Sequence, residues 1–231
     1  MTTSLDRFYR PLLLVLGLSL TGCPSMTSIT SARTLDSGQS ITYIAPEYSR
    51  FTMGGEPLVE PQVEIGGRYG ITDNWEMGAK LWLPGIEINS KIAILRSKDE
   101  NSGFNLSFTP GVSYLGGVSG TATGDGYELH VLTLYGALHA GWNVGGGHEI
   151  VVSPKLANQT WTTEDEEGTT ANLLFLGGSL GFVWKITEGF RLLPEIAVGA
   201  PIVESVPGFG TDVGIGATLL QAGVALVFGG A

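Results

Sequence analysis

Apolar and polar side chains alternate along this chain in one segment after another. Between positions 75 and 94 the two kinds of residue occupy alternate positions, with a turn in the middle. The apolar positions there are Trp75, Met77, Ala79, Leu81, Leu83, Ile86, Ile88, Ile92 and Ile94. Successive side chains of a strand point to opposite faces, so each segment has one apolar face and one polar or charged face. Many such segments of about ten residues, separated by turn residues, are typical of a transmembrane β-barrel.

Repetition of this pattern predicts ten strands and one barrel domain over residues 38–231. The predicted strands are 39–47, 58–69, 75–84, 86–95, 104–115, 127–142, 148–161, 172–185, 190–203 and 214–228. The first strand has a mixed alternation, and eight strands is therefore the alternative, although the even strand number of single-chain bacterial barrels supports including it. The predicted fold class is all-β, an antiparallel up-and-down transmembrane β-barrel.

The connections between these strands differ in length on the two sides of the barrel. Tight turns at 70–74, 143–147 and 187–189 fall on the side that holds both termini. Longer loops are predicted on the other side, at 48–57, 116–126, 162–171 and 204–213. Short periplasmic turns and longer outer loops are typical of bacterial outer-membrane barrels, so both termini are predicted to face the periplasm.

Seven aromatic residues lie at the turn-side ends of the strands, on the apolar face. They are Tyr69, Trp75, Phe104, Trp142, Trp184, Phe190 and Phe228. Aromatic rings suit the headgroup boundary of a membrane, and this set is predicted to form a girdle there. Three prolines, Pro110, Pro154 and Pro194, recur on the same face at intervals of about forty residues. Because proline donates no ladder hydrogen bond, we expect a local bulge at each one.

The first 22 residues are predicted to be an export signal of the lipoprotein type. Arg7 and Arg10 precede a short apolar run at 11–20, and Leu20-Thr21-Gly22-Cys23 resembles a bacterial lipobox. Cys23 is the only cysteine, so it is the predicted acylation site, and an intrachain disulfide is excluded. The alternative is an ordinary signal peptide in which Cys23 has no role. Residues 23–37, rich in Ser and Thr, are predicted to form a tether between the acylated cysteine and the barrel.

Charge and composition exclude some partners and add no chemistry. The formal net charge is −10, which argues against nucleic acid as a partner. The acidic run Glu164-Asp165-Glu166-Glu167 has no calcium-loop spacing, and no metal or cofactor is predicted. His139 points inward and His130 outward, and neither belongs to a Ser-His-acid pattern. An enzyme is therefore the least favoured class of function.

The inward faces of the predicted strands differ around the barrel. Strands two to four carry long charged side chains, whereas strands five and eight to ten carry mainly Gly, Ala and Ser. The central inward charges are Glu60, Glu64, Arg68, Glu76, Lys80, Glu87, Lys91, Lys155, Arg191 and Glu195, five of each sign. Charges in a confined lumen are costly unless they are paired, so this balance predicts a network of salt bridges. The network either fills the lumen or leaves a narrow polar conduit along the wall of small residues.

The phrase Tyr69-Gly-Ile-Thr-Asp-Asn-Trp-Glu-Met-Gly78, the export signal and the aromatic girdle together resemble Gram-negative outer-membrane β-barrel proteins in general. The resemblance implies an outer-membrane location and contact with membrane lipids and lipopolysaccharide. It names no substrate or activity. We expect a non-enzymatic barrel that acts as a narrow channel for small solutes or ions, or as a structural or interaction element. The alternative is a lipid-anchored, lipocalin-like carrier whose apolar face lines the lumen.

Overall fold

The structure, a computed structural model, describes residues 25–53, 56–99, 101–120, 127–164, 170–205 and 218–230. Within these residues, ten antiparallel strands follow one another around a closed barrel, and β1 pairs with β10 to complete it. The strands are β1 (Ser40–Met53), β2 (Glu56–Thr72), β3 (Trp75–Trp82), β4 (Gly85–Leu95), β5 (Ser102–Gly120), β6 (Tyr127–Val144), β7 (Glu149–Glu164), β8 (Thr170–Thr187), β9 (Phe190–Ser205) and β10 (Thr218–Gly229). The predicted ten-stranded, up-and-down barrel is confirmed, and the eight-stranded alternative is wrong.

Several strands continue further toward the outer side than the sequence predicts. β1 and β2 pair as far as Met53 and Glu56, inside the loop predicted at 48–57. β5 runs to Gly120, β7 ends at Glu164, and β8 begins at Thr170. Pairing satisfies backbone hydrogen-bonding groups, so it continues where the side-chain alternation that marks a membrane span has stopped. The loops predicted at 48–57, 116–126 and 162–171 are therefore too long, and most of the loop predicted at 204–213 lies outside the described residues.

The expected bulges at the three prolines are absent. Before and after each proline, the strand pairs with one of its neighbours in the same register, whereas a bulge would shift that register. Only the pairs between these two points are missing. The flanking pairs are Asn89↔Gly111 and Ile92↔Phe108 for Pro110, Ala137↔Lys155 and Ala140↔Val152 for Pro154, and Gly181↔Glu195 and Trp184↔Leu192 for Pro194. Proline removes one N–H donor, and here the strand loses a pairing position without gaining a residue.

The barrel has an apolar exterior, and most charged side chains of its strands point inward. Along β3 exposed and buried residues alternate from Trp75 to Trp82. Leu81 is 57% exposed, whereas the adjacent Lys80 is only 4% exposed. A water-soluble protein buries Leu and exposes Lys, so this surface suits a lipid environment. It is also the reverse of the arrangement that an apolar-ligand carrier needs. No helix in the described ranges is long and apolar enough to cross a membrane.

Candidate functional site

The lumen of the barrel is occupied by residues 25–35, called here the lumen segment. Met26 and Ala32 are at most 1% exposed, and Ile29 is 4% exposed. The chain passes under the periplasmic end of the barrel, where the Gly38 N–H donates to the Gly70 carbonyl at 2.8 Å. The sequence predicts a tether at these positions, because a Ser/Thr-rich stretch without alternation has no other signature. The structure instead buries the segment within the ring of strands.

Side chains of the barrel wall accept hydrogen bonds from the backbone of the lumen segment. Glu195 accepts from two successive N–H groups, one on each carboxylate oxygen. The bonds are Met26 N to Gln221 Oε1, Ser28 N to Glu195 Oε1 at 2.7 Å, Ile29 N to Glu195 Oε2 at 2.7 Å, Ala32 N to Glu149 Oε2 at 3.2 Å, and Leu35 N to Glu76 Oε2 at 2.7 Å. Hydrogen bonds to an ionised acceptor are stronger than neutral ones, so four of these five contacts hold the segment firmly.

Two lysines bind the carbonyl groups of the same segment. Lys155 Nζ donates to the Ser25 carbonyl at 2.6 Å. Lys91 Nζ donates to the carbonyls of Ser31 at 2.9 Å and Arg33 at 3.1 Å. The lumen therefore offers acceptors to the N–H groups and donors to the carbonyls, which is what a main chain in irregular conformation requires when it is buried.

The apolar side chains of the lumen segment pack against the wall of small residues. Ile29 and Ala32 share one buried cluster with side chains of β1, β7, β8, β9 and β10, and Met26 lies in a second. The first cluster also contains Tyr43, Ala45, Val151, Val183, Leu193, Ala225 and Val227; the second contains Ala157, Phe175, Ala197 and Leu219. Gly199 and the alanines of this wall leave space that the segment fills.

The opposite wall pairs its own charges. Lys80 Nζ lies 3.1 Å from Glu64 and 3.5 Å from Glu87. A second group lies nearer the periplasmic end, where Glu76 is 3.0 Å from Arg68 and 2.9 Å from Lys91. All six side chains are nearly inaccessible to solvent. Six of the ten residues predicted for the lumen network therefore meet as ion pairs on β2, β3 and β4.

Three other members of the predicted network do not form ion pairs with any side chain in the described ranges. Lys155 binds the lumen segment and lies 4.1 Å from the centre of the Tyr135 ring. Glu195 binds backbone N–H groups, and Arg191 donates to the Gly230 carbonyl at 2.9 Å. The side chain of Glu60, and Cys23 with its whole signal segment, lie outside the described residues.

Three wall residues that bind the lumen segment were not among the predicted site residues. Glu47, Glu149 and Gln221 are all buried. Glu47 accepts from Thr27 Oγ1 at 2.7 Å, and Glu149 also accepts from Asn105 Nδ2 at 3.3 Å. The alternation of inward and outward positions along a strand could have identified both glutamates, since each lies on the inward face of its strand. No pattern in the sequence identifies what they bind.

The histidines have local structural partners. His139 is 1% exposed, and its ring nitrogens lie 2.9 Å from Ser153 Oγ and 2.9 Å from Thr109 Oγ1. On the outer surface, His130 Nδ1 lies 2.7 Å from the Tyr114 hydroxyl. His139 is thus next to a serine, but no carboxylate orients its ring among the described contacts, and a triad needs one. In the described part of the chain, no group of three or more His, Cys, Asp or Glu side chains could hold a metal ion.

The aromatic residues of the predicted girdle lie on the outer surface near the periplasmic end. Six of them are 36–54% exposed, and Phe190 is half-buried. Phe104 and Trp142 are in contact at 5.2 Å between ring centres, as are Phe190 and Phe228 at 5.3 Å. Trp75 Nε1 donates to Ser90 Oγ at 2.7 Å, so this indole N–H is satisfied within the protein.

Comparison with known proteins finds similarity only in fold. No protein-family model matches the chain, and no curated protein matches its sequence. Among solved structures, Neisserial surface protein A has 7% identity and a TM-score of 0.44, covering 82% of this chain and 96% of that one. The outer membrane protease OmpT from Escherichia coli has 11% identity and a TM-score of 0.44, covering 88% and 98%. The translocator domain of the autotransporter NalP from Neisseria meningitidis has 12% identity and a TM-score of 0.41, covering 96% and 95%.

Proposed function

We propose that this protein is a non-catalytic integral barrel of the outer membrane, closed to solutes by its own lumen segment. One observation carries the proposal: the wall binds the main chain of residues 25–35 at both its N–H and its carbonyl groups. The apolar exterior supports a membrane location, where membrane lipids and lipopolysaccharide would be its immediate partners. A closed barrel of this kind acts as a structural or interaction element, through its outer surface and loops.

Lumen size also supports closure. Eight strands enclose an interior that side chains just fill, so ten strands leave little additional space. Here the lumen segment takes that space on one side, and the ion pairs of β2, β3 and β4 occupy the other. The occupied lumen favours the filled state over the polar conduit.

A gated narrow channel is the second candidate, and the wall of small residues favours it. If the lumen segment left the barrel, that wall would be uncovered opposite a charged wall able to select ions. Met26 fills the space beside Gly199, since a Cβ on this glycine would lie only 3.0 Å from Met26 Cε. Departure of the segment would empty that space. The two candidates share one barrel and differ in whether the segment leaves it.

Single-channel conductance in planar bilayers tests the proposal. The folded chain without an acyl group on Cys23 should be silent, because the lumen segment blocks the path. The matched sample is the same chain cleaved after folding at a protease site inserted between Ser37 and Gly38, both exposed, and then washed to remove the segment. It should open. Heat-modifiable gel mobility confirms that both samples are folded, and steady openings of the uncleaved protein would contradict closure.

We propose no catalytic role. His139 is hydrogen-bonded to two hydroxyls in the lumen, and no carboxylate among its described contacts orients its ring. Its hydrogen bonds join β5, β6 and β7, which is a structural role. A His139→Gln variant should therefore lose stability while the chain shows no hydrolytic activity with or without the substitution.

The position of Ser25 constrains the acyl anchor proposed for Cys23. Gln221, which binds Met26, is hydrogen-bonded to Ser49, roughly 20 Å above the periplasmic end of β1. Two residues span at most about 7 Å, so Cys23 reaches the periplasmic leaflet only when the lumen segment leaves the barrel. We therefore propose that anchoring there and lumen occupation are alternative states. Protein shown by intact mass to be acylated should conduct, whereas Cys23→Ser protein should stay closed; a silent acylated protein would contradict this.

A further inference from the structure

The lumen recognises the backbone of its occupant far more than the side chains. Five N–H groups and three carbonyls of residues 25–35 are bound by the wall. Side-chain hydrogen bonds from the same residues to the wall strands are fewer, chiefly Thr27 to Glu47 and Lys91 to Thr30. Every peptide carries the groups that are bound most often, so the wall selects a main-chain path more than a particular sequence.

Three of the carboxyl groups that bind the lumen segment would lose their donors in that segment if nothing occupied the lumen, and Glu149 would keep only Asn105 Nδ2. Glu47, Glu149 and Glu195 form no ion pair with any side chain in the described ranges, unlike Glu64 and Glu87 on the opposite wall. Burying a carboxylate without hydrogen-bond donors is costly. These three residues are therefore arranged as acceptors for an incoming chain.

We propose that the lumen is a peptide-binding site that reads the main chain of a peptide in an irregular conformation, with residues 25–35 as its ligand within the same molecule. This inference rests on the proposed function and extends it, because a site that reads the backbone also accepts a separate peptide when its own segment is released. The ligand class is a peptide with uncharged, apolar side chains at the positions that face this wall, as Met26, Ile29 and Ala32 do.

Steric contacts define which side chains such a peptide can carry. A Cβ built at Gly141 would lie 2.6 Å from Ala32 Cβ, so the residue at this position of the ligand must be small. Ile29 lies in a buried apolar cluster that favours an aliphatic residue, and Met26 contacts Gly199. Positions 28 and 31 are partly exposed and place weaker limits on the side chain.

Peptide exchange into the folded barrel tests this site. The full chain carries the protease site between Ser37 and Gly38, is folded and cleaved, and then receives a fluorescent peptide of residues 24–37. Binding is measured by fluorescence anisotropy. Two further peptides form the matched controls: one is N-methylated at Ser28 and Ile29, which removes both donors to Glu195, and one carries Ser28→Ala, which keeps them.

The unmodified peptide should bind, and its Ser28→Ala form should bind with similar affinity. N-methylation should weaken binding by roughly tenfold or more, since hydrogen bonds to a charged acceptor are lost. Failure of the unmodified peptide to replace the cleaved segment, or equal affinity of the N-methylated peptide, would overturn the inference. The anisotropy measurement does not depend on conductance. If the intact protein conducts but the cleaved protein still binds the peptide, the proposed closure is contradicted and the peptide-binding site is not.

Discussion

The buried charged groups on the two walls of the lumen have different kinds of partner. On β2, β3 and β4, charges are paired within the wall, as Lys80 is with Glu64 and Glu87. On the wall formed by β7 to β10 and β1, carboxylates such as Glu195 are satisfied by the backbone of the lumen segment. The charges of the first wall have partners within that wall, although Glu76 and Lys91 also bind the segment. The carboxyl groups of the second wall find their main donors in the segment. The difference separates residues whose partners belong to the barrel, such as Lys80, from residues such as Glu195, whose partners belong to the occupant.

Loss of Lys80 should have the largest effect on stability. Lys80→Met leaves Glu64 and Glu87 buried without their shared cation, and breaking a buried pair in this way costs about 3–5 kcal/mol of unfolding free energy. Urea unfolding in lipid vesicles, followed by tryptophan fluorescence, measures this. The exposed Lys98→Met is the control and should change little. A loss below about 1 kcal/mol for Lys80→Met would show that this wall does not depend on its own pairs.

Replacing Glu195 should release the lumen segment and leave the barrel folded. In Glu195→Gln the single amide oxygen cannot accept both N–H groups at full strength, and about 1.5–3 kcal/mol of local stabilisation is expected to be lost. Hydrogen exchange at Ser28 and Ile29, measured by mass spectrometry, should become faster. Glu64→Gln on the opposite wall is the matched control. Equal acceleration in both variants would remove the distinction between the walls.

A methyl group added beneath the lumen segment should have a smaller effect. The Cβ of Gly141→Ala would meet the Glu149 carboxylate and Ala32, and overpacking of this kind costs about 1–3 kcal/mol. Gly181→Ala, also on the lumen side, meets nothing nearer than 3.5 Å and serves as the control. Hydrogen exchange of residues 25–35 is the measurement, and only Gly141→Ala should accelerate it.

The smallest effect is expected at the periplasmic rim, outside both walls. Hydrogen bonds from the Asn101 N–H and the Ser102 hydroxyl hold the pKa of Asp99 below its usual value. Its contribution is therefore present above the ordinary aspartate pKa and is lost as the pH falls through the lower, folded value. Titration of Asp99 by NMR should give a pKa below that of an unstructured aspartate, with hydrogen exchange of the lumen segment unchanged by Asp99→Asn. A pKa at or above the ordinary value would contradict the hydrogen-bonded turn.

Much of the barrel could be predicted because alternation is a local property. Each strand has a period of two in its own sequence, so the lipid-facing residues and the inward charges Glu64, Lys80 and Glu87 follow from the alternation. The number of strands was less certain, because the first strand has a mixed pattern. Outer strand ends such as Met53 and Gly120 did not follow, because beyond the membrane the ladder continues without an apolar face. The bulges expected at the three prolines are also absent, because a missing N–H interrupts pairing without adding a residue to the strand.

The sequence alone predicted an up-and-down barrel with an apolar exterior and charges inside, and it favoured ten strands over eight. Only the tertiary structure decided that residues 25–35 fill the lumen and that Glu149 and Glu195 bind them. The physical reason is that this binding uses N–H and carbonyl groups, which every residue carries regardless of its side chain. Main-chain recognition leaves no periodicity and no motif, so it becomes visible only when the segment and the wall are placed together.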